Sequence, residues 1–395
     1  MYAGAMVQVC LMLIVVGLVV GVPGVWAAMV LGRRWGALDS AGSPGHEKLL
    51  RNVPNTGGVG IYLALVIPMA AGLAGAWWVP PDELARVSAA AVEHLPGLRA
   101  QTATALVFLG ALTVLHVAGL VDDRRALAPH AKAVIMFAAA AAVVLFDERT
   151  RLLTLLAGNL GPGLGTAVSV LITVVWIVAV TNAMNFIDNM DGLAGGVGAI
   201  AGGCFMAAAM LHGQWFVAGM LGLLVGGLVG FLVWNRPPAR VFMGDGGSLV
   251  VGFTLAFLTV RTTYYAAPGT VTPDGVGVPA GGWYAVFMPL VVLAVPTYDI
   301  VSVTVVRLWQ GRKPWVARPQ HLSHRLVSYG LNKRDAVAVI WGMTAVTGLS
   351  GVLLGTLKPW QALLCGVQIL LMFLVLAVFE MRLSARPTRG VEARS

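Results

Sequence analysis

Charged residues are scarce in this sequence, since Asp, Glu, Lys and Arg together make up only 11% of its 395 residues. Hydrophobic residues account for 58%, and the mean hydropathy of +0.83 is higher than a soluble domain of this length shows. The composition therefore excludes a soluble globular protein. It predicts an all-α integral membrane protein that crosses the bilayer many times.

Hydrophobic runs recur along the chain, most of them near the roughly 20 residues that a helix needs to cross a bilayer. We predict a polytopic bundle of about eleven such helices. We expect one domain over residues 1–395, with a short basic tail at 381–395. The predicted spans are 6–30, 57–78, 102–120, 133–146, 166–181, 193–212, 215–234, 247–261, 281–306, 336–356 and 360–380.

Cysteine is nearly absent, and Cys10, Cys204 and Cys365 lie in separate apolar segments without metal-ligand spacing. We therefore expect neither a disulfide framework nor a cysteine metal site. The first apolar run lacks a basic n-region and is too long for a cleavable signal peptide, so we expect a retained span. The longest outer loops, around 79–101 and 262–282, are expected to be short connectors rather than a second domain.

Basic residues outnumber acidic ones, at 26 against 17, but they do not cluster with aromatic residues as a nucleic-acid groove requires. We therefore expect no nucleic-acid partner. Most Lys and Arg residues fall in alternate loops, which the positive-inside rule assigns to the cytoplasm. This predicts an N-terminus outside and a cytoplasmic C-terminus. The cations on the other side are Arg86, Arg99, Arg149, Arg151, Arg261 and Lys358.

Acidic residues near membrane spans are costly, so their positions indicate a functional site. Asp122 and Asp123 in GLVDDRRALAP, Asp188 and Asp191 in NFIDNMDG, and Asp245 in FMGDGGSL fall at span ends on the predicted cytoplasmic side. The three motifs can therefore meet at one face of the bundle.

Oxygen ligands dominate these motifs, without cysteine or a histidine cluster, which favours a hard cation such as Mg²⁺. Adjacent carboxylates such as Asp122 and Asp123 repel each other when both are ionised, so the pair either retains a proton or recruits a cation. Because Mg²⁺ is usually shared between a few protein ligands and substrate phosphates, the pattern indicates a phosphate-bearing substrate.

Basic residues on the same predicted side complement these acids. Lys132 lies at the start of the fourth span, and the last long loop carries His321, His324 and Arg325. Lys binds phosphate as a point charge and Arg as a planar fork, while two histidines three residues apart share a helical face. Simpler explanations also apply, with Lys132 as a positive-inside anchor and the histidines as ordinary loop residues.

Glycine and proline leave two further questions open. Gly57 and Gly58 begin the second span, where they serve either close helix packing or function. Asp299 lies within a span after Pro296, where a helix break, a polar contact in the bundle and a catalytic role all compete. Asp245 stands in a Gly-flanked turn before a span, where backbone N–H groups can meet an anion.

The run NAMNFIDNMDG cannot face one ligand from a regular helix. At about 100° per residue, Asp188 lies about 60° from Asn185, and Asp191 another 60° further. Asn182 and Asp191 then point in opposite directions. We therefore expect the helix to bend or unwind here, where Gly192 makes this inexpensive.

Four motifs, GLVDDRRALAP with Lys132, NAMNFIDNMDGLAGG, FMGDGGSL and HLSHRLVSYG, occur in this order. From about Leu38 to about Asp335 the chain resembles the polyprenyl-phosphate N-acetylhexosamine-1-phosphate transferases. Members of this family are integral membrane enzymes that move a sugar phosphate from a UDP-sugar to a polyprenyl phosphate, release UMP and use Mg²⁺. The resemblance implies the same reaction here, in the bacterial inner membrane, with the active site on cytoplasmic loops.

The last loop of this family distinguishes its two bacterial branches. QHLSHRL is similar to the branch that takes UDP-GlcNAc, whose usual form is His-x-His-His, although Ser323 stands where that branch has a third histidine and Asn55 where arginine is common. The resemblance implies UDP-GlcNAc and undecaprenyl phosphate as substrates, in the first lipid-linked step of a cell-envelope glycan such as lipopolysaccharide or teichoic acid. UDP-MurNAc-pentapeptide is the alternative sugar donor.

A secondary transporter is the alternative class, since polar residues in broken spans also mark transport paths. Transport sites lie near the bilayer midplane, however, and the acidic motifs fall at span ends apart from Asp299.

The resemblance also implies roles for individual residues. Asp122 is the preferred candidate base or orienting group, and Mn²⁺ can substitute for Mg²⁺. Whether the protein forms a homodimer is left open by the sequence. The implied catalytic residues are Asp122, Asp123, Asp188 and Asp191; the implied metal ligands are Asn185 and Asp245; the implied substrate-binding residues are Lys132, Asn182, Asn185, His321, His324 and Arg325.

Overall fold

Helices form almost all of the regular structure in the computed structural model. It describes residues 2–38, 53–87, 89–152, 160–262, 287–311, 321–354 and 357–384. These ranges contain no β-strand, only an isolated bridge between Leu38 and Pro54. The predicted all-α fold is confirmed.

The helices in these ranges are numbered here in chain order. They are α1 (Tyr2–Arg34), α2 (Gly57–Trp78), α3 (Pro81–Val87), α4 (Ala89–Ala100), α5 (Thr102–Arg124), α6 (Pro129–Phe146), α7 (Pro162–Ile187), α8 (Leu193–Leu211), α9 (Trp215–Asn235), α10 (Asp245–Thr262), α11 (Met288–Val292), α12 (Ala294–Trp309), α13 (Leu322–Ser328), α14 (Lys333–Leu354) and α15 (Pro359–Ser384).

Nine helices of the described ranges are long and apolar enough to cross a bilayer, namely α1, α2, α5 to α9, α14 and α15. Each coincides with a predicted span, and the predicted eighth span corresponds to α10. The predicted ninth span, 281–306, is described from residue 287 onward. There the helix is broken at Leu293, between α11 and α12, because Pro296 lacks the N–H that a continuous helix would bond to the Val292 carbonyl.

The predicted connector at 79–101 is itself helical, since it contains α3 and α4. The Arg99 Nε of α4 donates a hydrogen bond to the Ala76 carbonyl oxygen of α2 at 2.8 Å, which holds this segment to the bundle. The predicted connector at 262–282 and the tail at 381–395 fall almost entirely outside the described residues. The orientation of the bundle stays a prediction.

Helix α10 lies at the centre of the bundle. It packs against α2, α5, α7, α8 and α9, and every residue from Gly246 to Val260 is buried. The Phe108 ring of α5 stacks on Phe253 and Phe257 of α10, with centroids 5.8 and 4.6 Å apart. Because α10 begins at Asp245, this packing fixes the position of that acid.

Gly57 and Gly58 pack the start of α2 against the segment before α10. Their N–H groups donate to the carbonyl oxygens of Phe242 at 2.9 Å and Met243 at 3.0 Å. A Cβ on Gly58 would lie 2.3 Å from the backbone nitrogen of Gly247, which no side chain allows. The packing interpretation of this pair is therefore the one that the structure supports.

Candidate active site

Lys132, near the start of α6, is the centre of the site. Its Nζ donates hydrogen bonds to Asp122 Oδ2 at 3.0 Å, to Asn185 Oδ1 at 3.1 Å and to Asp245 Oδ2. Asp122 Oδ1 also accepts from the Leu127 N–H at 2.6 Å. The partners of Lys132 come from α5, α7 and α10, so residues of three sequence motifs meet here. We call Lys132 with Asp122, Asn185 and Asp245 the Lys132 cluster.

Asn185 connects the cluster to the body of α10. Its Nδ2 donates to Asp245 Oδ1 and to Ser248 Oγ, both at 2.8 Å. Ser248 is buried, and the sequence interpretation missed it. The available signal was its spacing of three residues from Asp245, which puts both on one face of a helix. Asn182 lies one turn earlier on α7, and within the described ranges no side-chain hydrogen bond joins it to the cluster.

The adjacent acids Asp122 and Asp123 have different surroundings. Asp123 accepts hydrogen bonds from the backbone N–H groups of Asp245 at 2.9 Å and Gly246 at 3.1 Å, so it caps the otherwise unpaired start of α10. Gly244 has a φ of +68°, and a Cβ there would lie 2.5 Å from Asp123 Oδ2. Asp123 therefore holds Asp245 in place, whereas Asp122 contacts Lys132 directly.

The predicted unwinding of NAMNFIDNMDG is confirmed. Helix α7 ends at Ile187, and Asp188 follows it with non-helical backbone angles. The chain then turns through Gly192, which has a φ of +78°, into α8. Asp191 Oδ2 accepts from the Ala239 N–H at 3.1 Å, so this acid ties the turn to the segment between α9 and α10.

The histidine motif forms α13 and lies against the end of α7. The His321 ring is edge-on to Phe186, with centroids 5.7 Å apart, and Phe186 follows Asn185 of the Lys132 cluster. Ser323, the departure from the usual histidine, is 2% exposed and donates its Oγ hydrogen to Asn189 Oδ1. The structure thus packs the histidine motif against the end of α7, the helix that carries Asn185 of the cluster, and gives Ser323 a contact within the protein.

His324 is half-buried on the same short helix. Burial lowers its pKa below the ordinary value, as do the neighbouring His321 and Lys333. Its neutral form therefore dominates at neutral pH. A hydrogen bond, rather than a positive charge, is what His324 offers to a ligand.

Asp299, whose role the sequence left open, contacts the histidine motif. Its side chain is almost fully buried in α12, where Oδ1 accepts from the Leu322 N–H at 2.6 Å and Oδ2 lies 2.8 Å from His321 Nδ1. The two segments are far apart in sequence, and no local pattern could have paired them. The polar contact in the bundle is therefore the alternative that the structure supports.

Arg325 is held by two neighbouring helices. Its Nη2 donates to Ser302 Oγ of α12 at 2.8 Å, and its Nε lies 3.0 Å from Glu380 Oε1 of α15. Tyr298 O–H donates to the other oxygen of Glu380 at 2.9 Å. These contacts anchor α13 to α12 and α15, and the diphosphate-binding role of Arg325 stays a prediction.

Replacing Glu380 with alanine should lower the free energy of unfolding by about 3 kcal/mol, because a largely buried guanidinium loses its partner. The Arg325 side chain is 15% exposed. Thermal unfolding of the purified protein in detergent measures the change. The matched control is Glu83→Ala, which removes an exposed acid in the first turn of α3 and should change little. Equal unfolding temperatures for Glu380→Ala and the wild type would contradict the anchor.

The donor set of the Lys132 cluster fits a hard divalent cation. Asp122, Asn185 and Asp245 direct side-chain oxygens to one cation, the Lys132 ammonium, and Mg²⁺ prefers oxygen ligands of the same kind. Within the part of the chain that the structure describes, no group of three or more His, Cys, Asp or Glu residues forms a metal cage. An ion held by few protein ligands and by substrate phosphates is the kind that these residues suit.

The fold and the site define a polytopic membrane protein in which three motifs meet at the Lys132 cluster and a fourth packs against the end of α7. The profile of glycosyl transferase family 4 matches residues 105–263. The chain is 25% identical over 318 residues to the probable undecaprenyl-phosphate N-acetylglucosaminyl 1-phosphate transferase of Bacillus subtilis, over 80% of this chain and 77% of that protein.

A second relative is the decaprenyl-phosphate N-acetylglucosaminephosphotransferase of Mycolicibacterium smegmatis, 31% identical over 69% of this chain and 68% of that protein. A third is the phospho-N-acetylmuramoyl-pentapeptide-transferase of Desulforudis audaxviator, 33% identical over 49% of this chain and 53% of that protein. The chain therefore belongs to glycosyl transferase family 4, and the predicted family is confirmed.

Proposed function

We propose that this membrane enzyme transfers N-acetylglucosamine 1-phosphate from UDP-GlcNAc to undecaprenyl phosphate and releases UMP. The observation that carries the proposal is the Lys132 cluster, in which residues of three family motifs meet. Two relatives that match more than two thirds of this chain are named for N-acetylglucosamine transfer. A relative named for muramoyl-pentapeptide transfer matches about half of it, and this difference favours UDP-GlcNAc.

The reaction brings together two anions, the lipid phosphate and the diphosphate of the nucleotide sugar. An oxygen of the lipid phosphate bonds to the phosphorus attached to the sugar, and the bond from that phosphorus to the UMP oxygen breaks. Positioning and electrostatic stabilisation dominate such transfers. Lys132 supplies positive charge, and Asp122 is the candidate base or orienting group for the acceptor. A one-step transfer and an aspartyl intermediate are both compatible with this arrangement.

Asn185 and Asp245 are proposed to hold Mg²⁺ together with the diphosphate. When bound, the ion offsets negative charge on the leaving UMP. We expect dialysis against EDTA to remove UMP release and added Mg²⁺ to restore it, with Mn²⁺ as a substitute. Full activity in the presence of excess EDTA would contradict the metal assignment while leaving the transfer reaction standing.

A secondary transporter is the competing function from another class. The cluster argues against it, because Asp122 lies in the last turn of α5, Lys132 in the first turns of α6 and Asp245 at the first residue of α10. Transport sites lie near the middle of the bilayer. A site at helix ends suits a reaction between a water-soluble nucleotide and a lipid headgroup.

The proposed function is tested by measuring UMP release from UDP-GlcNAc by the purified protein. We expect release that requires both Mg²⁺ and undecaprenyl phosphate, and slower release from UDP-MurNAc-pentapeptide. Faster release from the pentapeptide donor would overturn the choice of sugar. Absence of UMP with every UDP-sugar would overturn the transferase assignment.

A further inference from the structure

Asp299 is an acid within a hydrophobic helix, outside the Lys132 cluster. It lies in the first half of α12 and is 2% exposed. An ionised group at such a position is costly unless hydrogen bonds satisfy its oxygens. The partners of Asp299 therefore indicate why an acid is present there.

Both oxygens of Asp299 bond to the start of α13. Oδ1 accepts from the Leu322 N–H at 2.6 Å, and Oδ2 lies 2.8 Å from His321 Nδ1. An ionised carboxylate only accepts hydrogen bonds, so His321 Nδ1 carries the hydrogen of this bond. Nε2 is then the ring atom that is left for a second partner.

The position of the His321 ring against the end of α7 has a separate cause. The ring contacts Phe186 edge-on, and Ser323 Oγ bonds to Asn189 Oδ1, which sets α13 against the end of α7. An aromatic contact limits where the ring lies but does not select which nitrogen is the donor. The Asp299 carboxylate makes that selection.

Three other ionisable side chains, those of His324, Arg325 and Arg307, lie in this part of the bundle. The His324 ring centroid lies 6.4 Å from that of His321. Arg325 pairs with Glu380 of α15, and Arg307 lies two turns after Asp299 on α12. The short, directed bond to His321 Nδ1 comes from Asp299.

We propose that Asp299 is a positioning residue for the transfer reaction, orienting His321 so that Nε2 contacts the diphosphate of the nucleotide sugar. The inference rests on the function proposed above. It assigns Asp299 an effect through His321, with no contact of its own to the substrate.

Asp299→Asn is the informative variant, because the amide oxygen still accepts from Leu322 while the amide nitrogen cannot accept from His321 Nδ1. We expect kcat/KM for UDP-GlcNAc to fall about 10- to 100-fold, as for other carboxylates that orient a functional histidine. In a His321→Ala background, the same substitution should add little further loss. Equal losses in both backgrounds, or none in the otherwise unchanged protein, would overturn the proposal.

The matched control is Asp335→Asn. Asp335 is an exposed acid in the first turn of α14 that accepts a hydrogen bond from Asn332 Nδ2 at 2.6 Å. The Asp335→Asn substitution should leave kcat/KM for UDP-GlcNAc unchanged. A loss in this control similar to that in Asp299→Asn would show that the assay reports general loss of structure, and would overturn the specific assignment.

Nitrogen NMR of protein isotopically labelled in histidine gives a second readout that needs no turnover. The His321 signals are those missing from His321→Gln. We expect a protonated Nδ1 in the wild type and a changed tautomer or protonation in Asp299→Asn. Unchanged His321 signals would overturn the proposal in an active protein. Failure of the wild type to release UMP would instead overturn the proposed function, and NMR would still decide whether Asp299 orients His321.

Discussion

The Lys132→Met variant is expected to lose transfer activity by about 1000-fold, as when a charge-stabilising donor is removed from an enzyme site. Methionine keeps an unbranched apolar side chain but removes the ammonium that bonds to Asp122, Asn185 and Asp245. Two carboxylates then lose the positive charge between them, and so does the diphosphate of the substrate. UMP release at saturating UDP-GlcNAc measures the effect.

Lys358→Met is the matched control for this variant. Lys358 is exposed just before α15, beyond the end of α14 that lies away from α13, so its charge should not affect transfer. Lys132→Arg is expected to restore little, because a planar guanidinium does not replace a compact ammonium among three close partners. Activity of Lys132→Met above a tenth of the wild-type rate would contradict the role given to Lys132.

Asp245→Asn should reduce transfer by a similar factor of about 1000. Asparagine retains the shape of the side chain but removes the negative charge that Lys132 contacts and that a cation would require. The fold should persist, because Asp123 still caps the first N–H groups of α10. UMP release and thermal unfolding, measured on the same preparation, separate the two effects.

Asp82→Asn is the control for Asp245→Asn, since Asp82 also lies in the first turn of a helix, α3, but is exposed to solvent. We expect it to turn over like the wild type. A higher Mg²⁺ concentration should recover part of the residual activity of Asp245→Asn if Asp245 is a metal ligand. Normal turnover by Asp245→Asn would contradict both the assignment of Asp245 as a metal ligand and its role in the transfer reaction.

The long helices of this protein were predictable, because a long apolar run that crosses a bilayer can satisfy its own backbone hydrogen bonds only as a helix. The start of α10 was predictable for a different reason. FMGDGGSL places Asp245 in a glycine-flanked turn before a span predicted from residue 247, and the structure begins α10 two residues earlier, at Asp245. The convergence of three motifs followed from the alternation of the spans.

The side-chain pairs that could not be predicted from the sequence are tertiary contacts. Asp299 and His321, Arg325 and Glu380, and Asn185 and Ser248 are pairs from different helices, so no spacing along the chain relates their members. The different roles of Asp122 and Asp123 could not be predicted for a similar reason. Neighbouring residues on a helix point in different directions, and only the position of α10 decides which of them meets its N–H groups.

The most direct test of the central claim follows a radioactive phosphorus label placed in the phosphate that joins the sugar in UDP-GlcNAc. Transfer of the sugar together with its phosphate predicts that the label enters the lipid fraction and that the released nucleotide is unlabelled UMP. Lys132→Met should show neither product above background. Label released as UDP, with an unlabelled sugar on the lipid, would contradict the proposed reaction, and so would label that stays in UDP-GlcNAc.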